Sequence, residues 1–373
     1  MRARLIAAAV AALAVAPSAH GGVPSVDARA FLVEDATTGA VLAQHNMNVR
    51  LPIASITKLM TVLLTLQHAS PSDVVTVQSD AAAVGESTIH LRAGERITVG
   101  DLLKGALIQS ANDAADALAD DVAHGSEHAF VAMMNAQARS LGLTGTHYAR
   151  PDGLDAPDHY STARDVAKLA QIVMRYPVVR QIVRQRTATI AGGRRLHTWN
   201  DLLELFRGLD GVKTGHTAAA GWCEVAEVKR DGLDVYATIL GSPTRGRRNA
   251  DLAALLRWGL AVERPAWVIA PDRVYASVSA GYGRGAVPLV AARGVVRPVR
   301  VDRPLVEKVV AAGAVSLPVK RGDALGELRV FDGRRLLARE PLVAARAASE
   351  PGVAGRIGFY AGRTFRHIGR WFQ

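Results

Sequence analysis

Gly211-Val212-Lys213-Thr214, Trp222-Cys223-Glu224-Val225-Ala226-Glu227-Val228 and Val235-Tyr236-Ala237-Thr238-Ile239-Leu240 follow one another in this chain. The second and third runs are rich in β-branched, aromatic and small apolar residues, and Asp231-Gly232 between them is a hairpin dipeptide. The stretch reads as three consecutive antiparallel strands. Toward the N-terminus, Phe31-Leu32-Val33 and Ala40-Val41-Leu42 add two strands joined by a turn at Thr37 to Gly39. Helical patterns fill the space between the two strand groups. They are a segment opening at Ser55, Asp101 to Leu107, Asp113 to Val122, Phe130 to Leu141, and Thr162 to Arg175. Leu252 to Leu260 closes the region as a last helix. The expected architecture is an α/β (α+β) domain with helices packed on an antiparallel sheet and a site between them.

After about residue 263 the texture changes to short alternating runs rich in Val, Arg and Gly. Examples are Val274 to Val278, Val299-Arg300-Val301, Val315 to Val319 and Gly326 to Val330, with Asp332-Gly333 as a hairpin turn. This predicts a small all-β domain over 263–345 that contains no pairing of nucleophile and base. The expected division is thus 1–22 as a leader, 23–262 as the catalytic domain, 263–345 as the β domain and 346–373 as a linker and terminal helix.

Three short motifs in the first domain carry chemistry: Ser55-Ile56-Thr57-Lys58, Ser110-Ala111-Asn112 and Lys213-Thr214-Gly215. Alone, each has an ordinary reading as a solvated helix face, a turn or N-cap, and a hairpin end. In this order they supply the parts of one acyl-transfer site. A serine hydroxyl is a poor nucleophile until a base takes its proton. Lys58, three residues after Ser55, falls on the same face of a helix one turn away. Thr57 to Leu64 is mostly apolar and lacks Gly and Pro, and Pro52 sits just ahead. To act as base, Lys58 must drop from the ordinary lysine pKa of about 10.4. Burial and a second nearby cation, which Lys213 could be, would both do this. Ser110 and Asn112 would complete a proton relay and hold the substrate amide. Lys213 and Thr214 would offer a charge and a hydroxyl to a substrate carboxylate. Gly215 would let the strand backbone approach the substrate.

The three motifs are the signature of β-lactamases and penicillin-binding proteins, and the chain resembles that superfamily. Ile53 to Thr61, Gln109 to Ala114 and Asp210 to Thr217, together with Asp152-Gly153-Leu154-Asp155 and Ser161 to Asp165, resemble the low-molecular-mass D-alanyl-D-alanine carboxypeptidases of the penicillin-binding protein 5/6 type. The resemblance covers about residues 26 to 373. Ala111 stands where many relatives carry Gly. The resemblance implies the same fold, a Ser55 acyl-enzyme, and an oxyanion hole from the backbone N–H groups of Ser55 and His216. It also implies that Arg248, one of a group with Arg245, Arg247 and Arg257, helps hold the substrate carboxylate. The expected substrates are peptidoglycan stem peptides ending in D-Ala-D-Ala, with β-lactams as covalent inhibitors. Three alternatives stand beside this: a DD-endopeptidase, a β-lactamase, which in one class needs a dedicated glutamate that no loop obviously supplies, and a non-catalytic peptidoglycan-binding scaffold. No His/Cys/Asp cluster has metal-ligand spacing, so no metal or cofactor is expected.

The chain has 373 residues, one cysteine (Cys223) and a net charge of +11. No intrachain disulfide is possible. Arg2 and Arg4, an apolar run from Leu5 to Ala16, and small residues up to Gly22 have the form of a secretory leader. From Arg257 onward, 20 Lys plus Arg face 9 Asp plus Glu, so this part carries the whole net charge. A nucleic-acid enzyme would place its basic surface around its site, so no nucleic acid is expected. At the C-terminus, Ile357, Ala361, Thr364, Phe365, Ile368, Trp371 and Phe372 fall on one helical stripe, with Arg356, Arg363, Arg366 and Arg370 opposite. That pattern suits a helix lying in an anionic membrane interface, too short and charged to span it. Phe359 falls off the stripe. The expected location is the periplasmic side of the inner membrane, with peripheral anchoring.

Overall fold

A computed structural model describes residues 7–13, 22–282, 284–301 and 304–369, with side chains for 22–282, 284–301 and 304–361. The chain falls into two compact units, Gly21–Ala261 and Val262–Gln373, the latter taking in Met1–His20.

In the first unit, five strands form one antiparallel sheet in the order Ala40–His45, Ala30–Asp35, Leu233–Ser242, Gly221–Arg230, Leu209–Thr217. All five are the strands expected from the sequence, extended by a few residues. From Cys223 to Val228 every residue is buried, although Glu224 and Glu227 interrupt the apolar pattern. Three residues apart, these two glutamates point to opposite faces of the sheet.

The centre of the unit is the helix Lys58–His68, entered through a 3₁₀ turn at Ala54–Thr57. Lys58 through Thr65 are all buried. A helix apolar on every side belongs inside a core, and this one carries Lys58 into the interior with it. Asn112–Val122 packs beside it through Ala114, Ala117 and Leu118, and the small size of the two alanines lets the helices approach. Thr162 and Ser126 cap Ala163–Val173 and Glu127–Ser140, accepting from Asp165 N (3.1 Å) and Ala129 N (3.2 Å).

Three features depart from the expected pattern. The helix expected at Asp101 to Leu107 is α-helical only over Val99–Lys104 and then widens into a π turn at Gly105–Gln109. The last helix starts earlier, spanning Arg245–Val262. Its arginine-rich first turn is tolerated because Arg245 pairs with Asp201, and Arg247 with Asp27 and Asp251. A helix at Pro177–Val183 and a hairpin of Thr187–Ile190 with Arg194–His197 were not anticipated. Pro177 is a compatible helix start, since that position needs no N–H donor.

The second unit is β-rich. A seven-stranded sheet runs Ala7–Leu13, Leu305–Ala311, Ala324–Asp332, Arg335–Ala344, Ala286–Ala291, Val274–Ala280, Ala314–Val315, beside the pair Glu263–Ile269 and Val295–Arg300. Val278, Val287, Leu289, Leu328, Val330 and Leu342 fill its core. The run expected over Val315 to Val319 is a strand only to Val315, and Pro318 further on lacks a ladder donor. Ala7–Leu13, within the expected leader, pairs antiparallel with Leu305–Ala311. The rest of the leader's charged start and its cleavage region lie outside the described residues.

Val353–Gly369 is helical. Phe359, unexplained by the amphipathic stripe, packs its ring 5.8 Å from that of Tyr282, which also meets Tyr360 at 6.1 Å. Arg356 is not a free member of the cationic face. It pairs with Glu350 and lies 5.9 Å from the Tyr282 ring. Ile357 is exposed. The side chains of Arg363, Phe365, Arg366 and Ile368, and all of Arg370, Trp371 and Phe372, lie outside the described residues. Among the described residues, no helix is long and apolar enough to cross a membrane.

Phe130 is fully buried in the core of the first unit. Phe130→Ala is expected to lower urea-unfolding stability by about 3–5 kcal/mol; a loss under about 1 kcal/mol would mean that this core does not hold the unit together.

Candidate active site

The 3₁₀ turn explains how Ser55 meets Lys58. With three residues per turn, positions i and i+3 eclipse, and Lys58 Nζ lies 2.9 Å from Ser55 Oγ. Two further groups hold the amine: Asn112 Oδ1 at 2.7 Å and the Asp152 carbonyl at 2.6 Å. Both can only accept. Asn112 Nδ2 donates to Gly85 O at 3.0 Å, which fixes the amide orientation. A neutral Lys58 amine therefore places its two hydrogens on Asn112 and Asp152 and turns its lone pair to the Ser55 hydroxyl. Burial pulls Lys58 down to about 8, against the opposing pull of Asp152, Asp116, Asp113 and Glu86.

Ser110 reaches the cleft by an unusual route. The π turn at Gly105–Gln109 ends on Ser110 in the left-handed region (φ 61°). The next helix begins immediately, at Asn112. Asn112 thus sits at the first position of a helix with its Oδ1 turned to Lys58. Ala111 is buried and does not line the cleft. Lys213 Nζ lies 2.7 Å from Ser110 Oγ and donates to Thr214 O at 2.7 Å. Lys213 is held well below the ordinary lysine range by burial, then by the charge of Lys58. Burial is the largest cause at both lysines, and the charges of Lys58 and Lys213 repel each other.

Leu209–Thr217 is the edge strand of its sheet and lies against the nucleophile turn. A Cβ on Gly215 would stand 2.7 Å from Ile53 O and 3.1 Å from Ser55 N. Glycine is required here for contact with the Ser55 backbone, and the residue also lines the cleft. Gly153 does the same from the other side. Its φ is +85°, and a Cβ would meet Ala54 O at 2.2 Å. The loop it belongs to is tied down by Arg150, which forms a bidentate pair with Asp152 (3.0 and 2.8 Å), and by Asp155, which accepts from Thr217 Oγ1 at 2.6 Å.

A cleft of about 220 Å³ opens over these groups. Ser55, Ser110, Asn112, Thr214, Gly215, His216 and Arg248 all line it. His216 is exposed, its ring stacked 4.0 Å from that of Trp222. Of the four clustered arginines only Arg248 faces the cleft. Arg245 lies over Trp199 (5.3 Å), Arg247 pairs with aspartates, and Arg257 lies over Phe206 (5.5 Å). Asn200 accepts from Leu202 N at 3.0 Å, as an ordinary turn residue.

Several lining residues were not anticipated. Trp222 stands opposite His216 in the strand register, a pairing legible only once the register is known. Trp199 is fixed by its indole N–H donating to Gln109 O at 2.9 Å. Glu86 is an exposed glutamate on a loop at the cleft, of the kind not evident from sequence. Behind the nucleophile, His159 is 2.7 Å from Thr57 Oγ1 and accepts from Ala149 N at 3.1 Å, and burial pushes it down to about 4, so it is neutral. Among the described residues no group of His, Cys, Asp or Glu could hold a metal ion.

Comparison with known proteins agrees with this geometry. The family profile described as D-alanyl-D-alanine carboxypeptidase, peptidase family S11, matches residues 16–244. D-alanyl-D-alanine carboxypeptidase DacC of Escherichia coli is 33% identical over 372 residues, covering 94% of this chain and 92% of its own. DacF of Bacillus subtilis is 31% identical, covering 87% of both. The crystal structure of penicillin binding protein 6B from Escherichia coli superposes with a TM-score of 0.68 at 28% identity, over 87% of this chain and 98% of that one. With two serine–lysine pairs facing one cleft on the fold these proteins share, the chain belongs to the D-alanyl-D-alanine carboxypeptidase family of serine peptidases.

Proposed function

We propose that Ser55 attacks the carbonyl between the last two D-alanines of a peptidoglycan stem peptide. The single observation that carries this is the double pairing in one cleft, Lys58 on Ser55 at 2.9 Å and Lys213 on Ser110 at 2.7 Å. Lys58 takes the Ser55 proton as the Oγ–C bond forms. The backbone N–H groups of Ser55 and His216 receive the oxyanion. As the C–N bond breaks, Ser110 passes its proton to the departing amine and takes up in its place the proton held by Lys58, so both groups regain their resting states. Lys213, Thr214 and Arg248 hold the free carboxylate of that D-alanine, and Asn112 holds the substrate amide. Water then cleaves the ester, returning the proton to Ser55. β-Lactams, which share the acyl-D-Ala-D-Ala shape, would acylate the same hydroxyl.

The enzyme is proposed to work outside the cytoplasmic membrane. Arg2, Arg4 and the following apolar run support export with loss of residues 1–22. The opposed aromatic and cationic stripes of the terminal helix support peripheral attachment to an anionic membrane surface.

Mass spectrometry with diacetyl-Lys-D-Ala-D-Ala is the direct test. Wild type should release one D-alanine, and a penicillin should block release through an adduct on Ser55. An adduct without release would indicate an endopeptidase or a binding protein, and rapid penicillin turnover a β-lactamase. Ser55→Ala should abolish both adduct and release while the protein stays folded.

Because Lys58 acts as a neutral amine and sits at about 8, the rate of Ser55 acylation by penicillin should rise with pH. The expected slope is about tenfold per unit, levelling above about 8. A flat profile from pH 6 to 9 would remove Lys58 as the base. Deleting residues 351–373 should release the enzyme from vesicles containing anionic lipid with activity intact; equal retention would rule out the anchor.

A further inference from the structure

The catalytic cleft leaves one buried ionisable group unused. Glu224 lies in the strand Gly221–Arg230 and is fully buried. Its register partners are Thr214 and Ile239, so its side chain shares a sheet face with Thr214, and with His216 and Trp222 two positions along. The helix Arg245–Val262 brings Arg248 to the same place. Arg248 Nε lies 3.0 Å from Glu224 Oε2, and the guanidinium carbon is 5.7 Å from the centre of the Trp222 ring. Arg248 Nε and Nη2 also donate to Asn249 Oδ1 at 3.0 and 2.6 Å, and Nη2 is 3.6 Å from Asp201 Oδ2. Asn249 Nδ2 in turn donates to Asp201 at 2.7 Å. Glu224, Asn249 and Asp201 thus engage Nε and Nη2, leaving Nη1 without a partner among the described residues, on a side chain that lines the cleft.

Among the described residues neither carboxylate oxygen of Glu224 makes a hydrogen bond, and Arg248 is its one ion-pair partner. A buried carboxylate so poorly satisfied is costly, and an apolar residue of similar volume would pack this strand at less cost. The charged groups around it are Arg248 and Arg245 from the helix, Asp201 from the loop ahead of Leu202, and Lys213 from the edge strand. Ile239 supplies an apolar contact on the remaining side. Burial pushes the Glu224 carboxyl up to about 7 against the pull of Arg248.

The geometry points to Glu224 as a positioning residue for the leaving group's carboxylate: it fixes the Arg248 guanidinium at the cleft wall and, by losing or taking up a proton, sets the net positive charge that a C-terminal carboxylate meets there. This rests on the carboxypeptidase reading of the cleft. Ionised Glu224 offsets one of the charges on Lys213 and Arg248, and protonated Glu224 leaves both uncovered. A peptide with a free C-terminal carboxylate should therefore bind more tightly below about pH 7 than above it. A peptide with an amidated C-terminus should not sense the change.

The test is calorimetric binding of diacetyl-Lys-D-Ala-D-Ala and its C-terminal amide to Ser55→Ala protein at pH 6 and pH 8. The acid should bind about three- to tenfold more tightly at pH 6, as expected for one added charge several ångströms from the bound carboxylate. With Glu224→Gln added, the acid should bind more tightly at pH 8 than it does to the parent and most of the pH step should be lost, the remainder following the titration of Lys58, and the amide should be unchanged throughout. Glu224→Asp keeps the titrating group but withdraws it from Arg248. It should weaken binding of the acid at both pH values and leave the amide unchanged, and it serves as the second probe should the Gln protein fail to fold. An unchanged pH step in folded Glu224→Gln, or Asp variant affinities equal to those of the parent, would overturn the assignment. A parent protein that does not distinguish acid from amide at either pH would overturn the reading of the cleft itself.

Discussion

The site depends on one side chain placed where a lysine is least comfortable. Lys58 opens a helix whose first two turns are wholly buried, and burial of an ammonium shifts the balance toward the neutral amine. Interior position alone would leave an unsatisfied polar group. The protein answers with two obligate acceptors, Asn112 Oδ1 and the Asp152 carbonyl, which orient the amine and leave Ser55 as its remaining neighbour. Three separate parts of the chain meet at this nitrogen, so the nucleophile turn, the Asn112 helix and the Asp152 loop must all be in place before the serine can be activated.

The same requirement explains why the surrounding backbone is so tightly drawn. Gly215 brings the sheet edge against Ser55 N, and Gly153 brings the Asp152 loop against Ala54 O. In both places a methyl group would push apart pieces that must lie within hydrogen-bonding distance. Asp113 braces the outer wall, accepting from Ile89 N and Leu91 N at 3.0 Å each. Asn112 N donates to Ser87 O at 2.7 Å, holding the Glu86 loop beside the cleft. The catalytic groups therefore sit on rigid elements, as positioning to a fraction of an ångström demands.

At the other end of the cleft, cations and carboxylates are stacked in alternation: Lys213, Arg248 with Glu224, then Asp201 with Arg245. Arg248 lines the cleft, while its partners Glu224 and Asp201 do not. Burial of Arg248 between Trp222 and Glu224 trades flexibility for a fixed direction. A mobile surface arginine would offer the same charge with less discrimination between a carboxylate and a neutral end.

How much of this was legible from sequence follows from range. The strands at 211–240 and the helix after Ser55 are local patterns of side-chain period and turn chemistry, and they appear where expected. The pairing of Ser55 with Lys58 is also local, because three residues of a 3₁₀ turn suffice. The motif order identified the family, since each motif supplies a part that the others lack. Sequence could not show the Asp152 carbonyl on Lys58, which is a backbone atom 94 residues away. Nor could it show the stacking of His216 on Trp222, which needs the strand register, or which of four neighbouring arginines turns inward. The depression of Lys58 by burial and the isolation of Glu224 beneath Arg248 are properties of surroundings assembled from distant segments. The sequence by itself determined the chemistry present and the elements that carry it. Only the tertiary structure decided the protonation and direction of those groups, because desolvation and electric field depend on everything packed around a charge and not on its neighbours in the chain.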